Sequence, residues 1–334
     1  MPAEDSGSGQ RPVAVVGEAL MDLVPADGGL FQAAPGGSPA NVAVGLARLD
    51  VPVYLLARLA RDALGGRLRR HLVDNGVDIS RAVTATEPCS LAIVALDEQG
   101  AARYDFRVTG TADWQWRQEE LRGALDGVAA LHGGSLALVL PPGADVLVRL
   151  FSAARAHLTV SYDPNCRPLL MGDPQGVRAR VEELVGLVDV VKASEEDIDW
   201  LYPGVPAAEV LANWIRRGPA VVAITLGAAG VIAAMVGSDR RTDAIRMPAP
   251  VVVVADTVGA GDAFMAGLLS GLHNRDLLGA ERRALLRSLS RAALSEVLQE
   301  ALSVAALTCT RRGADPPTRT ELRGFSSSFR PIGG

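Results

Sequence analysis

Short apolar runs alternate with helically spaced segments along most of this chain, and that alternation narrows the possible folds more than any other feature. Residues 13–16, 53–56, 129–132, 158–162, 188–191 and 221–225 read as buried strands rich in Val, Leu, Ile and Ala. Between them, apolar positions recur with helical spacing around 41–49, 62–75, 144–156, 175–186, 206–217, 261–272 and 280–308. Strand, crossover helix and next strand build a parallel sheet, so the expectation is an α/β fold with a mostly parallel central sheet covered on both faces. Ligands of such sheets sit beyond the C-terminal ends of the strands. The stretch 220–236 is apolar enough to raise the question of a membrane helix, but Thr225, Gly227 and Gly230 interrupt it. Two strands joined by a turn, 221–225 and 231–236, fit it better. No internal repeat or linker divides the 334 residues, and a 49% hydrophobic content suffices for one large core.

The segment that carries chemistry lies near the C-terminus. Val251, Val252, Val253 and Val254 read as a further buried strand, Gly259 and Gly261 permit a tight turn, and helical spacing resumes at Ala263. Amides of Gly259, Ala260 and Gly261 at the positive end of that helix can hold a phosphate, with Asp262 beside it as a proton acceptor. A helix-capping Asp is the simpler alternative. A dinucleotide fingerprint fits poorly, because Phe264 stands where a small residue must let helix and strand approach. A Walker loop is excluded, since it needs a Gly-Lys step and Lys192 is the only lysine. The strand lysine of the protein-kinase pattern is missing for the same reason.

Charge and cysteine usage narrow the class. A net charge of -5 argues against a nucleic-acid binder, and basic stretches such as Arg67, Arg69 and Arg70 read as the solvated face of a helix. Cys89, Cys166 and Cys309 are widely separated and odd in number, which suits neither a disulfide framework nor a metal site and points to the cytoplasm. His71, His132, His157 and His273 lack metal-ligand spacing. The polar, glycine-rich N-terminal residues do not read as a secretory signal.

A second glycine turn, Pro35-Gly36-Gly37-Ser38-Pro39-Ala40-Asn41, leads into an amphipathic helix and presents Asn41 near its first turn. Together with Asp256-Thr257-Val258-Gly259-Ala260-Gly261-Asp262-Ala263-Phe264, it makes the chain similar to the ribokinase-like (PfkB) family of carbohydrate kinases over roughly residues 12–322. The resemblance implies a ribokinase-like three-layer sandwich, with residues 1–11 and 323–334 as tails. It also implies a small β-sheet lid over the sugar, built from about 21–34 and 89–114, in which Asp97-Glu98-Gln99-Gly100 reads as a hairpin turn. Within the family the lid residues Arg103, Tyr104, Asp105 and Phe106 and the following Gly110-Thr111-Ala112-Asp113-Trp114 look most like fructokinases.

Carried over from the family, Asp22, Gly36, Gly37 and Asn41 form the sugar cradle, with Arg103 and Phe106 of the lid. Asn165 and Arg167 come from Asp163-Pro164-Asn165-Cys166-Arg167, a strand-end element in which an ion pair of Arg167 with Asp163 is the structural alternative. Lys192, Thr225, Gly227, Gly230, Gly259 and Gly261 fall on the nucleotide side, and Asp256 falls in a monovalent-cation loop. Ser194 and Asp197 stand where relatives carry Asn and Glu near magnesium, and helix capping explains them as well. Ala57 and Ala60 stand where relatives commonly have Gly. The resemblance thus implies an ATP- and Mg²⁺-dependent sugar kinase, with K⁺ as an activator and fructose as the acceptor, while the exposed edges and apolar face of a small sheet suit a homodimer. Alternatives are a 2-keto-3-deoxygluconate kinase, whose substrate carboxylate Arg167 would bind, and a catalytically silent sugar-binding protein on the same fold.

Overall fold

The computed structural model describes residues 11–96, 102–236 and 242–328. Its strands are β1 Val13–Val16, β2 Leu20–Ala26, β3 Leu30–Gly36, β4 Val53–Leu56, β5 Arg58–Ala60, β6 Val83–Ala85, β7 Leu91–Leu96, β8 Ala102–Arg107, β9 Ala130–Gly134, β10 Thr159–Asp163, β11 Val190–Ser194, β12 Val221–Thr225, β13 Val231–Val236 and β14 Thr242–Met247. Its α-helices are α1 Ser38–Arg48, α2 Ala63–Asp74, α3 Ala144–Ala154, α4 Pro168–Met171, α5 Pro174–Leu187, α6 Glu195–Leu201, α7 Ala207–Arg216, α8 Ala260–His273, α9 Arg283–Arg287, α10 Arg291–Cys309 and α11 Arg319–Ser328.

Eight strands form the central sheet in the order β14-β13-β12-β11-β10-β9-β1-β4. From β4 to β12 every pairing is parallel, as helix-length crossovers require. The last two pairings are antiparallel, because the short turn at 226–230 lets β13 fold straight back on β12. Side-chain alternation divides the core into two layers. Val13, Val15, Val190, Val221 and Ala223 face α1, α8 and α10, whereas Ala14, Val16, Val191, Val222 and Ile224 face α3, α5 and α7. That is a three-layer α/β sandwich, as the alternation predicts. The chain leaves β1 towards β4 and returns to β9 on its other side, so a crevice opens beyond the ends of β1 and β9.

The lid segments form a separate four-stranded sheet, β3-β2-β7-β8. Its expected turn at 97–100 lies outside the described residues.

Three expectations need correction. Residues 251–254 form no strand, and Val251, Val253 and Val254 are exposed. Pro248 and Pro250 supply no amide to a ladder, and β14 ends before them. The helix expected at 280–308 is broken at 288–290, where Ser290 accepts the Ala293 amide (3.1 Å) and starts α10 afresh. The C-terminal tail expected from 323 is helical as far as Ser328, because α11 carries buried Leu322. Among the described residues α10 is long and apolar enough to cross a membrane, but it packs along α8 in the core.

Candidate active site

The two glycine motifs, more than 200 residues apart, meet at one carboxylate. Ser38 and Asn41 lie in the first turn of α1, whose N-cap Gly37 takes a positive φ (103°), while Asp262 lies in the first turn of α8 behind Gly259 (φ 76°). Ser38 Oγ donates to Asp262 Oδ1 (2.6 Å) and Asn41 Nδ2 donates to Oδ2 (2.8 Å). Asp262 is 8% exposed, so its carboxylate is oriented by the opposite helix and still reaches the crevice. It does not cap its own helix, since neither oxygen takes an α8 amide. Ser38 was not singled out in the sequence, where only its place between Gly37 and Pro39 marked it.

The start of α8 leaves amides open. Ala260 uses its amide on the Thr257 carbonyl (3.2 Å) and Ala263 uses its own on the Gly259 carbonyl (2.8 Å). Among the described residues the amides of Gly259, Gly261 and Asp262 have no acceptor, so of the expected Gly259 to Gly261 set only Ala260 is taken, and Asp262 adds its own amide. A Cβ at Gly261 would stand 2.9 Å from Lys192 Nζ. Lys192 is 2% exposed and paired with Asp163 Oδ2 at 2.9 Å. Burial alone would lower its pKa, but Asp163, Asp197 and Asp262 reverse that and keep it charged above the usual lysine value. A cation against a helix N-terminus is unfavourable with the site empty, and an anion placed there satisfies both.

The sugar-side candidates gather at the crevice. Asp22 on β2 lies against Gly36, where a Cβ would come within 2.2 Å of Oδ2, so a larger residue would push the Asp22 carboxylate out of place. Burial pushes Asp22 up to about 6, opposed by the Arg167 guanidinium. Arg167 does not pair with Asp163. It donates to the Asn165 carbonyl and to Asn165 Oδ1 (2.8 Å), and its exposed guanidinium faces the crevice carboxylates Asp22 and Glu18. Asn165 is held at a positive φ (37°), and its buried Nδ2 has no partner, which leaves one donor for a ligand. Phe106 is half-buried on β8, and Arg103 is on the same strand opposite Ala95, its side chain outside the described ones.

Other candidates separate into working and structural positions. Asp197 accepts the Ser194 amide and hydroxyl (2.8 Å each) while Ser194 accepts the Asp197 amide, so the capping alternative describes this pair. Thr225 is beside Ser194 in register and reaches the Ala193 carbonyl at 3.4 Å. Gly227 opens an exposed turn at positive φ (55°), whereas Gly230 is required by packing, since a Cβ would meet the Met247 carbonyl at 2.0 Å. Asp256 accepts the Gly313 amide (2.8 Å) and the Val258 amide (3.1 Å); burial raises its pKa less than these amides lower it, so it stays below the usual carboxylate value. That ties the loop before α8 to the segment after α10.

The family model described as pfkB family carbohydrate kinase matches residues 10–321, nearly the whole described chain. The chain belongs to the pfkB family of carbohydrate kinases. A fructokinase of Rhizobium leguminosarum bv. trifolii is 35% identical over 266 residues, covering 78% of this chain and 80% of the relative. The fructokinase of Xylella fastidiosa with bound ATP superposes with a TM-score of 0.86 at 27% identity, over 96% of this pfkB chain and 99% of its own. A double-mutant fructokinase of Vibrio cholerae O395, solved with fructose, ADP and potassium, gives 0.80 at 29% identity over 95% and 98%.

Proposed function

We propose that this pfkB kinase transfers the γ-phosphoryl group of ATP to a primary hydroxyl of fructose, giving fructose 6-phosphate. One observation carries the reading: two helix N-termini converge so that Ser38 and Asn41 orient Asp262 beside the open amides of α8 and the buried Lys192 ammonium. Fructokinase relatives, and a solved neighbour holding fructose and ADP, support the acceptor and the nucleotide.

Asp262 accepts the proton of the attacking hydroxyl. A carboxylate offers about four lone-pair directions, so Ser38 and Asn41 keep it in place while a hydroxyl takes another. The Gly261 and Asp262 amides and Lys192 stabilise the charge on the transferred group. Asp22 accepts from sugar hydroxyls, Asn165 Nδ2 and Arg167 donate, and the small sheet covers the acceptor against water. The exposed turn at Gly227 and the exposed valines 251, 253 and 254 give the nucleotide a polar and an apolar wall.

Three carboxylates, Asp163, Asp197 and Asp262, act on the single Lys192, an acidic surplus that suits a divalent ion. They close into no three-ligand cage among the described residues, so the fit is to Mg²⁺ held on phosphates and reached through water. Bound with the nucleotide, Mg²⁺ would supply charge neutralisation at the phosphates. We place a monovalent cation at the Asp256 loop and the enzyme in the cytoplasm.

A coupled ADP-release screen across fructose, ribose, ketodeoxygluconate, tagatose and nucleosides tests the assignment. Fructose should give the highest kcat/KM. A higher value for ketodeoxygluconate that Arg167→Ala selectively removes would replace the acceptor, and no transfer to any of them would sink the kinase reading.

A further inference from the structure

Asp113 has no part in the chemistry above, yet it is 1% exposed and both of its oxygens are occupied. Oδ1 accepts the Ala19 amide (2.9 Å) at the step from β1 to β2. Oδ2 accepts the hydroxyl of Ser90, the residue before β7. Ser90 Oγ lies 2.5 Å from Thr111 Oγ1, which also reaches the carbonyl of Val108, the residue after β8, at 2.8 Å. The Ser90 carbonyl in turn accepts the Met21 amide at 3.1 Å. The roots of β2, β7 and β8 therefore meet in one buried polar cluster with Asp113 at its hub.

Glu18 extends this cluster across the crevice. It is 2% exposed, accepts the Ala137 amide (3.3 Å) and bonds the Ser135 side chain in the turn after β9. Burial pushes Glu18 up to about 7 and Asp113 up to about 6, and each charge disfavours the other, so the pair holds fewer than two charges near neutrality. The Gly37 turn rests on the same backbone, since a Cβ there would stand 2.5 Å from the Glu18 carbonyl. Asp22 follows Ala19 by three residues on β2.

We propose that Asp113 is the positioning residue of the acceptor side: through the Ala19 amide it sets where β2 presents Asp22, and through Ser90 it fixes that strand to both roots of the β7–β8 hairpin. The proposal rests on the sugar-kinase reading. An apolar side chain at 113 strands a buried amide and a buried hydroxyl, and the roots must shift to rehydrate them. The nucleotide side, built on α8 and β11, makes none of these bonds.

Full-length Asp113→Ala, Asp113→Asn and Ser90→Ala test this, with ADP and fructose phosphate quantified separately. Asp113→Ala should raise the fructose KM about 10-fold or more, leave the ATP KM within about 2-fold, and raise ADP released per fructose phosphate formed as the acceptor side lets in water. Asp113→Asn can still accept the Ala19 amide and meet Ser90, so it should recover most of the loss. Ser90→Ala should shift the fructose KM in the same direction by a smaller factor, and decides the matter if Asp113→Ala does not fold. Equal shifts of both KM values, loss of thermal stability alone, or Asp113→Asn as damaging as Asp113→Ala would overturn the proposal. A wild type that phosphorylates no sugar would remove the kinase reading and this proposal with it. Wild-type transfer with unaffected variants removes only the role of Asp113.

Discussion

At Asp262 the chemistry depends on a carboxylate that its neighbours orient and do not neutralise. Asp262→Asn keeps the size and leaves an acceptor for Ser38 or Asn41, but removes the proton acceptor. General-base catalysis is worth about 10²- to 10⁴-fold, so kcat should fall at least that far while ATP affinity changes little. Steady-state rates with ATP binding measured on the folded variant check this, and near-normal turnover would leave Asp262 as a packing residue. At Asp22 the issue is pH. Burial raises its pKa to about 6, so the empty site favours the protonated form, and the stability this group contributes is lost as pH rises through about 6. Sugar binding has the opposite requirement, because only the ionised form accepts from adjacent hydroxyls. Fructose KM should therefore rise as pH falls through about 6, and Asp22→Asn should flatten that limb while raising KM throughout; a wild-type KM constant between pH 5 and 8 would contradict it.

Between elements, the decisive contact is the crossing of α1 and α8. Both carry proposed active-site groups in their first turns, and their approach needs small residues, since a Cβ at Gly45 would meet the Ala266 Cβ at 2.6 Å; on its other side α8 packs on α10, where a Cβ at Gly267 would meet the Ala301 Cα at 2.7 Å. Gly45→Val should cost about 1–3 kcal/mol through overpacking. It should also lower kcat, because parting the helices moves Ser38 and Asn41 off Asp262. Thermal unfolding and kcat on the same variant test the coupling, and a destabilised enzyme of unchanged kcat would show that the crossing serves stability alone. In the stretch that departs from the commoner glycines, Ala57 joins β4 to β5 and Ala60 ends β5, with buried Arg58 paired to Glu87 and Glu120.

Across the whole molecule, Asp256 and the loop after α10 hold the turn that supplies the α8 amides. A monovalent cation in that loop should raise kcat by preorganising those amides. Equal rates in sodium, potassium and a bulky organic cation at fixed magnesium would refute it. The small sheet exposes Val24 and Leu30 on one face of the β2–β3 hairpin and Phe31 on the other. A second copy covering the Val24 and Leu30 face would remove that apolar area from water, so a dimer is expected by light scattering and Leu30→Glu should dissociate it. A monomer at working concentration would end that expectation.

Local pattern by itself determined the strand and helix alternation, the two glycine turns and Asp262 and Asn41 as candidates, because periodicity and turn chemistry are short-range properties, whereas Asp22 came from the family resemblance. Family motifs then carried the kinase reading. Only the tertiary structure decided which groups touch. Ser38 gave no strong local signal, and its bond to Asp262 exists because two helices far apart in sequence cross where Gly45 meets Ala266. The resemblance puts Lys192 on the nucleotide side, but only the fold sets it under Gly261 and against Asp163. Four valines read as a buried strand, yet the neighbouring prolines and the completed edge β14 left them exposed, since burial depends on what remains to pair with them. Asp113 passed as part of a lid motif, and its role as a hub follows from which backbone ends meet there, a property of chain topology that no window of sequence contains.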